Sequence, residues 1–126
     1  MAPRATAGKF SAGDGHAAQG DGEVCVTAIE TSLSGTFELI LRRDMTLEMP
    51  RAETPTHYIT MGIDPDLDNA AKQALRDMLA VIQEKANLSR EDAYTLCSIA
   101  ADLRVTQIVN MHKGIHVMLA KSALHG

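Results

Sequence analysis

Leu67, Ala71, Ala74, Leu75, Met78, Leu79 and Ile82 recur at three- and four-residue steps, and no other feature constrains the fold as strongly. Such spacing lines one face of an α-helix, and an apolar face that long has to be covered by another layer of structure. Ahead of it, Asp64-Pro65 reads as an N-cap followed by proline at the first helical position, where a missing N–H costs nothing. The pattern predicts a helix over 66–86, with Asp68, Lys72, Arg76, Asp77 and Lys85 on its solvated side. Ser89, with Asp92 three residues on and Leu88 and Ala93 placed as a staple, opens a second helix over 90–101. Ala93, Leu96, Cys97 and Ala100 share its inner face.

The covering layer is legible on either side. Residues 23–31 (EVCVTAIET), 36–42 (TFELILR), 57–63 (HYITMGI) and, more weakly, 45–49 have strand character, with Gly35 and Arg43-Asp44 at turns. Downstream, 103–110 (LRVTQIVN), a turn through Met111-His112-Lys113-Gly114, and 115–119 make a terminal hairpin. The expected fold is α+β: a mostly antiparallel β-sheet, two packed helices and a C-terminal β-hairpin. Residues 1–12 read as an irregular leader and 13–126 as one domain, a length that permits a single core. Aromatics are 3% of the chain and tryptophan is absent, so that core has to be aliphatic, with Met filling gaps.

Charge and composition narrow the function classes. The net charge of −4 and scattered Lys and Arg leave no basic footprint for nucleic acid. No run approaches the roughly 18 apolar residues of a membrane span, and residues 1–10 lack the apolar core of a secretory signal. A soluble, cytoplasmic protein is expected. Cys25 and Cys97, with no CxxC spacing, suit reduced, buried thiols.

One stretch cannot build a core. Residues 13–23 (GDGHAAQGDGE) concentrate glycine with Asp14, His16, Gln19, Asp21 and Glu23. The glycines let backbone turn sharply around a ligand, while carboxylates and imidazole are the donors that zinc and similar divalent ions prefer. In extended chain, Asp14 and His16 point the same way, as do Asp21 and Glu23. The spacing fails the calcium-loop pattern. The same stretch also reads as plain turns in which Asp accepts backbone hydrogen bonds.

The run GDGHAAQGDGEVCVTAIE at 13–30 resembles the signature of the acetamidase/formamidase family, and LCSIAADLRVTQIVN at 96–110 and KGIHVMLAK at 113–121 resemble that family's C-terminal blocks. The resemblance implies hydrolysis of small linear amides such as formamide and acetamide, giving ammonia and a short carboxylic acid. It also implies that Asp14, His16, Asp21 and Glu23 lie in or beside the site. On that footing Asp14, His16 and Asp21 are expected to bind a divalent metal, zinc foremost. Glu23 is expected to act as the general base toward an activated water. Gln19, or the N–H groups of Gly20 and Gly22, would hold the oxyanion. His116 would reach the site from the other side, or else be satisfied within its strand. His57, His112 and His125 read as surface residues.

Two departures qualify the resemblance. Ala120 stands where the family usually has proline, and members of the family are considerably longer, with further polar motifs in an N-terminal half not found here. The expected partners are therefore a small amide and either further copies of the chain or a complementary N-terminal half. The alternative is a non-catalytic remnant serving as an oligomerisation or metal-binding module.

Overall fold

The computed structural model describes residues 9–124; residues 1–8 of the expected leader and His125 lie outside them. Strands β1 (Gly15–Ala18) and β2 (Ile29–Thr31) pair antiparallel in a small sheet of their own. Strands β3 (Arg51–Glu53), β4 (His57–Asp64), β5 (Ala101–Gln107) and β6 (Lys113–Ala120) form a second, antiparallel sheet in the order β3-β4-β6-β5. Helices α1 (Leu67–Ala86) and α2 (Arg90–Ala100) follow β4, and a 3-10 turn over Lys121–Leu124 follows β6. The architecture is α+β with a C-terminal β5–β6 hairpin, as the periodicity predicts.

One face of the larger sheet carries the core. Ile115, Val117 and Leu119 of β6 pack with Ala70, Ala74, Met78, Leu79 and Ile82 of α1 and with Ala93 and Cys97 of α2. Leu75 and Leu96 are half-buried against the same cluster. The closest approach is over β4, where the Thr60 hydroxyl donates to the Ala74 carbonyl at 2.8 Å. Beside it, a Cβ on Gly62 would stand 2.0 Å from the Ala70 carbonyl oxygen. Only glycine lets helix and strand approach that closely.

Local chemistry sets the helix ends. The α1 N-cap is Asp66, whose carboxylate accepts from Asn69 N–H, and not Asp64. Asp64 instead accepts from Asp66 N–H at 2.8 Å, a turn that leads the chain through Pro65 and delays the helix by two residues. At α2 the reading holds: the Ser89 hydroxyl accepts from Asp92 N–H at 3.0 Å and donates to the Asp92 carboxylate at 2.7 Å.

The β-rich reading of the first half is corrected. Residues 36–42 and 45–49 form no strand, and of 23–31 only Ile29–Thr31 pairs. The reason is a missing neighbour, because strand propensity needs a ladder and the larger sheet ends at β3. Phe37, Leu39, Ile40 and Leu41 are accordingly 61–75% exposed. Cys25 lies in the same unpaired region and is exposed, contrary to expectation, while Cys97 is buried and its thiol is pushed up by that burial. No helix among the described residues is long and apolar enough to cross a membrane.

Candidate metal centre

The glycine-rich stretch makes a short strand where composition alone predicts turns. Gly15 faces Thr31 across the β1–β2 ladder, and a Cβ there would lie 2.9 Å from the Thr31 carbonyl oxygen and closer still to the Leu33 side chain. The next pair in the ladder is His16 with Glu30. Directly opposed residues in an antiparallel pair project to the same face, so this register sets the imidazole beside the Glu30 carboxylate, Nε2 to Oε1 at 3.3 Å. Asp14 precedes the strand with φ 56, a left-handed conformation that aspartate tolerates. Its Oδ1 also lies 3.3 Å from His16 Nε2. Asp14, His16 and Glu30 thus place three potential ligand atoms within 4.8 Å of one another.

The other side of the imidazole is fixed as well. Nδ1 of His16 is hydrogen-bonded to Gln19 Oε1. An oxygen acceptor there requires the proton on Nδ1, which directs the Nε2 lone pair of the neutral ring at the two carboxylates. Metal-binding histidines are held in the same manner, with the distal nitrogen donating to a protein oxygen. The His16 pKa is raised above the ordinary imidazole value, by the Gln19 bond most of all; desolvation opposes it, and the charges of Glu30 and Asp14 add to the rise. The donor set therefore fits a small divalent ion, being one neutral imidazole and two carboxylates with space on the exposed side.

Asp21 and Glu23 lie outside this group. Asp21 faces Arg104 of β5 at 3.8 Å, and half-buried Glu23 ends a tight turn in which its N–H donates to the Gly20 carbonyl. Gly22, at φ 98, forms a parallel bridge with Gln107, and its carbonyl accepts from Ile108 N–H at 2.8 Å. The turn is thereby docked on the end of β5. His116 sits on the sheet face away from the helices, cross-strand from Arg104 and Met61, with Nδ1 2.8 Å from the Thr106 hydroxyl. His57 is half-buried beside Thr56, and His112 is exposed.

Glu30 is the participant that residue reading missed. It closes the 13–30 run, and in the expected long strand it carried no special signal. Its position opposite His16 depends on the register of a two-strand ladder that composition does not reveal.

Comparison with known proteins follows the same residues. The model of the "Acetamidase/Formamidase family" matches residues 4–121. No curated protein matches the chain. Among solved structures, an acetamidase from Bacillus halodurans is similar at 31% identity and TM-score 0.68, over 83% of this chain and 36% of that one. An acetamidase from Yersinia enterocolitica is 30% identical with TM-score 0.75, over 88% of this chain and 34% of that one. A predicted acetamidase/formamidase from Thermoanaerobacter tengcongensis is 26% identical with TM-score 0.71, over 86% and 36% respectively. The chain thus spans roughly a third of the length of the solved structures it matches.

Proposed function

The chain belongs to the acetamidase/formamidase family, and on that premise we propose that it supplies part of an enzyme hydrolysing small linear amides, with formamide and acetamide as substrates. The observation that carries the reading is the convergence of Asp14, His16 and Glu30 in a stretch the family model covers. These three residues would hold a divalent ion, zinc by preference, and Asp21 acts from outside the group by way of Arg104. When bound, such an ion supplies Lewis acidity that polarises a carbonyl and acidifies water.

The chain's own groups then divide the work. Gln19 holds His16 in the tautomer that turns Nε2 toward the carboxylates. Its amide nitrogen is left to donate to the oxygen that gains charge as the carbonyl is attacked. Glu23 takes the proton of the attacking water, its backbone fixed by the Gly20 turn. His116 approaches from the sheet side, a role supported by its place across from Arg104, which reaches Asp21. As the tetrahedral intermediate collapses, Glu23 returns that proton to the departing nitrogen, the C–N bond breaks, and ammonia and the carboxylic acid are released.

A second reading rests on a different observation. Val24, Val26, Ile29, Leu33, Phe37, Leu39, Ile40 and Leu41 are 61–75% exposed within one stretch, far more apolar surface than a soluble monomer ordinarily leaves open. That surface supports association with further copies or with a chain equivalent to the remainder of the longer relatives, so activity would require assembly. Ammonia release from formamide and acetamide, measured for the zinc-loaded chain alone and co-expressed with the portion of a relative that this chain does not match, tests both readings. Activity that survives His16→Ala in either setting overturns the first.

A further inference from the structure

Among the described residues, the polar ties of 9–50 to the rest of the molecule are one backbone hydrogen bond, Ile108 N–H to the Gly22 carbonyl, and one ion pair, Arg104 with Asp21; away from β5, Arg42, Met45 and Leu47 line a cavity with Val81, Glu84 and Lys85. β1 and β2 share no sheet with β3–β6. The segment bearing Asp14, His16 and Glu30 is therefore located on the core by very few polar ties, one from the middle of β5 and one just past its end. Arg104 is placed to govern the junction: it stands cross-strand from His116, one guanidinium nitrogen lies 3.8 Å from Asp21 and another 4.0 Å from Asp102 of its own strand. Asp21 and Gly22 are neighbours, so the ion pair and the backbone bond act on the same turn. That turn continues through Gly20 to Gln19, which holds the His16 ring.

We propose that Arg104 is a positioning residue, which through Asp21 clamps the Gly20–Glu23 turn to β5 and so sets where the three-ligand group sits relative to the sheet face carrying His116. An exposed ion pair is weak. Its leverage here comes from the scarcity of other polar ties near the turn. The role assigned to Asp21 is then structural support by charge and not ligation. The inference rests on the reading of Asp14, His16 and Glu30 as a cation site, but the clamp itself is measurable without a cation.

The test uses the full chain. Hydrogen exchange at the Ile108 amide reports the Gly22 bond directly, and Arg104→Gln and Asp21→Asn should each speed it by about two- to fivefold. The charge-reversed pair Arg104→Asp with Asp21→Arg should restore slow exchange, while Asp102→Asn should leave it unchanged. Zinc affinity, by competition with a chromophoric chelator, should fall in step in the single variants and recover in the swap. The visible spectrum of the chain saturated with Co²⁺ should be the same in Asp21→Asn as in the parent. If exchange responds but no variant or parent binds zinc, the clamp stands and the cation reading fails. Unchanged exchange in Arg104→Gln, an Asp102→Asn effect as large as that of Asp21→Asn, or an altered Co²⁺ spectrum overturns the proposal.

Discussion

His16 and Glu30, fourteen positions apart in the chain, are register partners across β1 and β2, and their side chains meet at 3.3 Å. A carboxylate lying against an imidazole that is already bonded through its other nitrogen to Gln19 makes the electrostatics of the site depend on all three. Glu30→Gln keeps the shape and removes one charge. Zinc affinity should fall by at least about tenfold in a competition titration, because a two-ligand remnant binds poorly. Gln19→Ala removes only the group that orients the ring, and should cost about 10- to 100-fold, as is usual for partners outside the ligand shell. Equal affinity in the parent and both variants would leave the group as an ordinary surface cluster.

Gly62 is where α1 lies closest to the sheet. A methyl there would overlap the Ala70 carbonyl oxygen and crowd the Ala74 amide, both backbone atoms of a helix that cannot shift locally. Gly62→Ala should destabilise the fold by about 1–3 kcal/mol or more, as over-packing of a tight core does. Urea denaturation should show a lower midpoint with an unchanged slope.

Lys121 pairs with Glu53 and joins the end of β6 to the edge strand β3. The hydrogen bond from Lys121 is the largest cause holding the Glu53 carboxyl below its ordinary value; desolvation opposes it, and the charges of Lys121 and Lys85 add to the lowering. The sign follows from that direction: with the folded-state value depressed, the contribution is present above the unfolded value, about 4.3, and is lost as pH falls through the folded one. A carboxyl NMR titration should place Glu53 below its ordinary value, and Lys121→Ala should return it there. High salt should weaken the shift, since the Glu53 carboxylate is exposed.

The two thiols should separate cleanly. Cys25 is exposed, whereas Cys97 is buried among the core residues with its pKa raised by desolvation. Iodoacetamide at mildly alkaline pH should label Cys25 rapidly. Cys97 should react only as the fold opens, its rate rising through the urea transition.

The parts of the fold legible in the sequence are those whose pattern is written within their own segment. Both helices follow from periodicity, and β4 and β6 from strand-favouring runs bounded by turn residues, but the buried face of β4 does not: Thr60 and Gly62 are buried while Met61 and Ile63 turn the other way. Residues 36–42 mislead because an apolar run records a preference for strand and not the presence of a neighbour to complete it. The Asp64 reading fails for a local reason: two aspartates flank Pro65, and only geometry decides which one caps. At the site, Asp14 and His16 are visible as a pair two residues apart. Glu30 is not, since its proximity is created by a ladder whose register shifts between His16 and Ala18. Arg104 stays hidden for the same reason, its partner Asp21 being far away in sequence.

Gly15 gives a test of that register which touches no ligand. Its hydrogen in place of a side chain lets β1 lie against Thr31 and Leu33; any Cβ would meet the Thr31 carbonyl at 2.9 Å and the Leu33 side chain more closely still. Leucine can rotate away, but the carbonyl belongs to the backbone of β2, so the strands have to part. Gly15 faces Thr31, one step from the His16–Glu30 pair, and parting them there moves the Glu30 carboxylate away from the imidazole while Asp14 and Gln19 stay on the β1 side. Gly15→Ala should therefore weaken zinc binding much as Glu30→Gln does. The larger sheet shares no ladder with β1 and should keep its urea midpoint. A Leu33→Ala change added to Gly15→Ala relieves only the side-chain contact and should recover little of the affinity. Full recovery would mean that Leu33 packing, and not the approach of the two backbones, holds the three groups together.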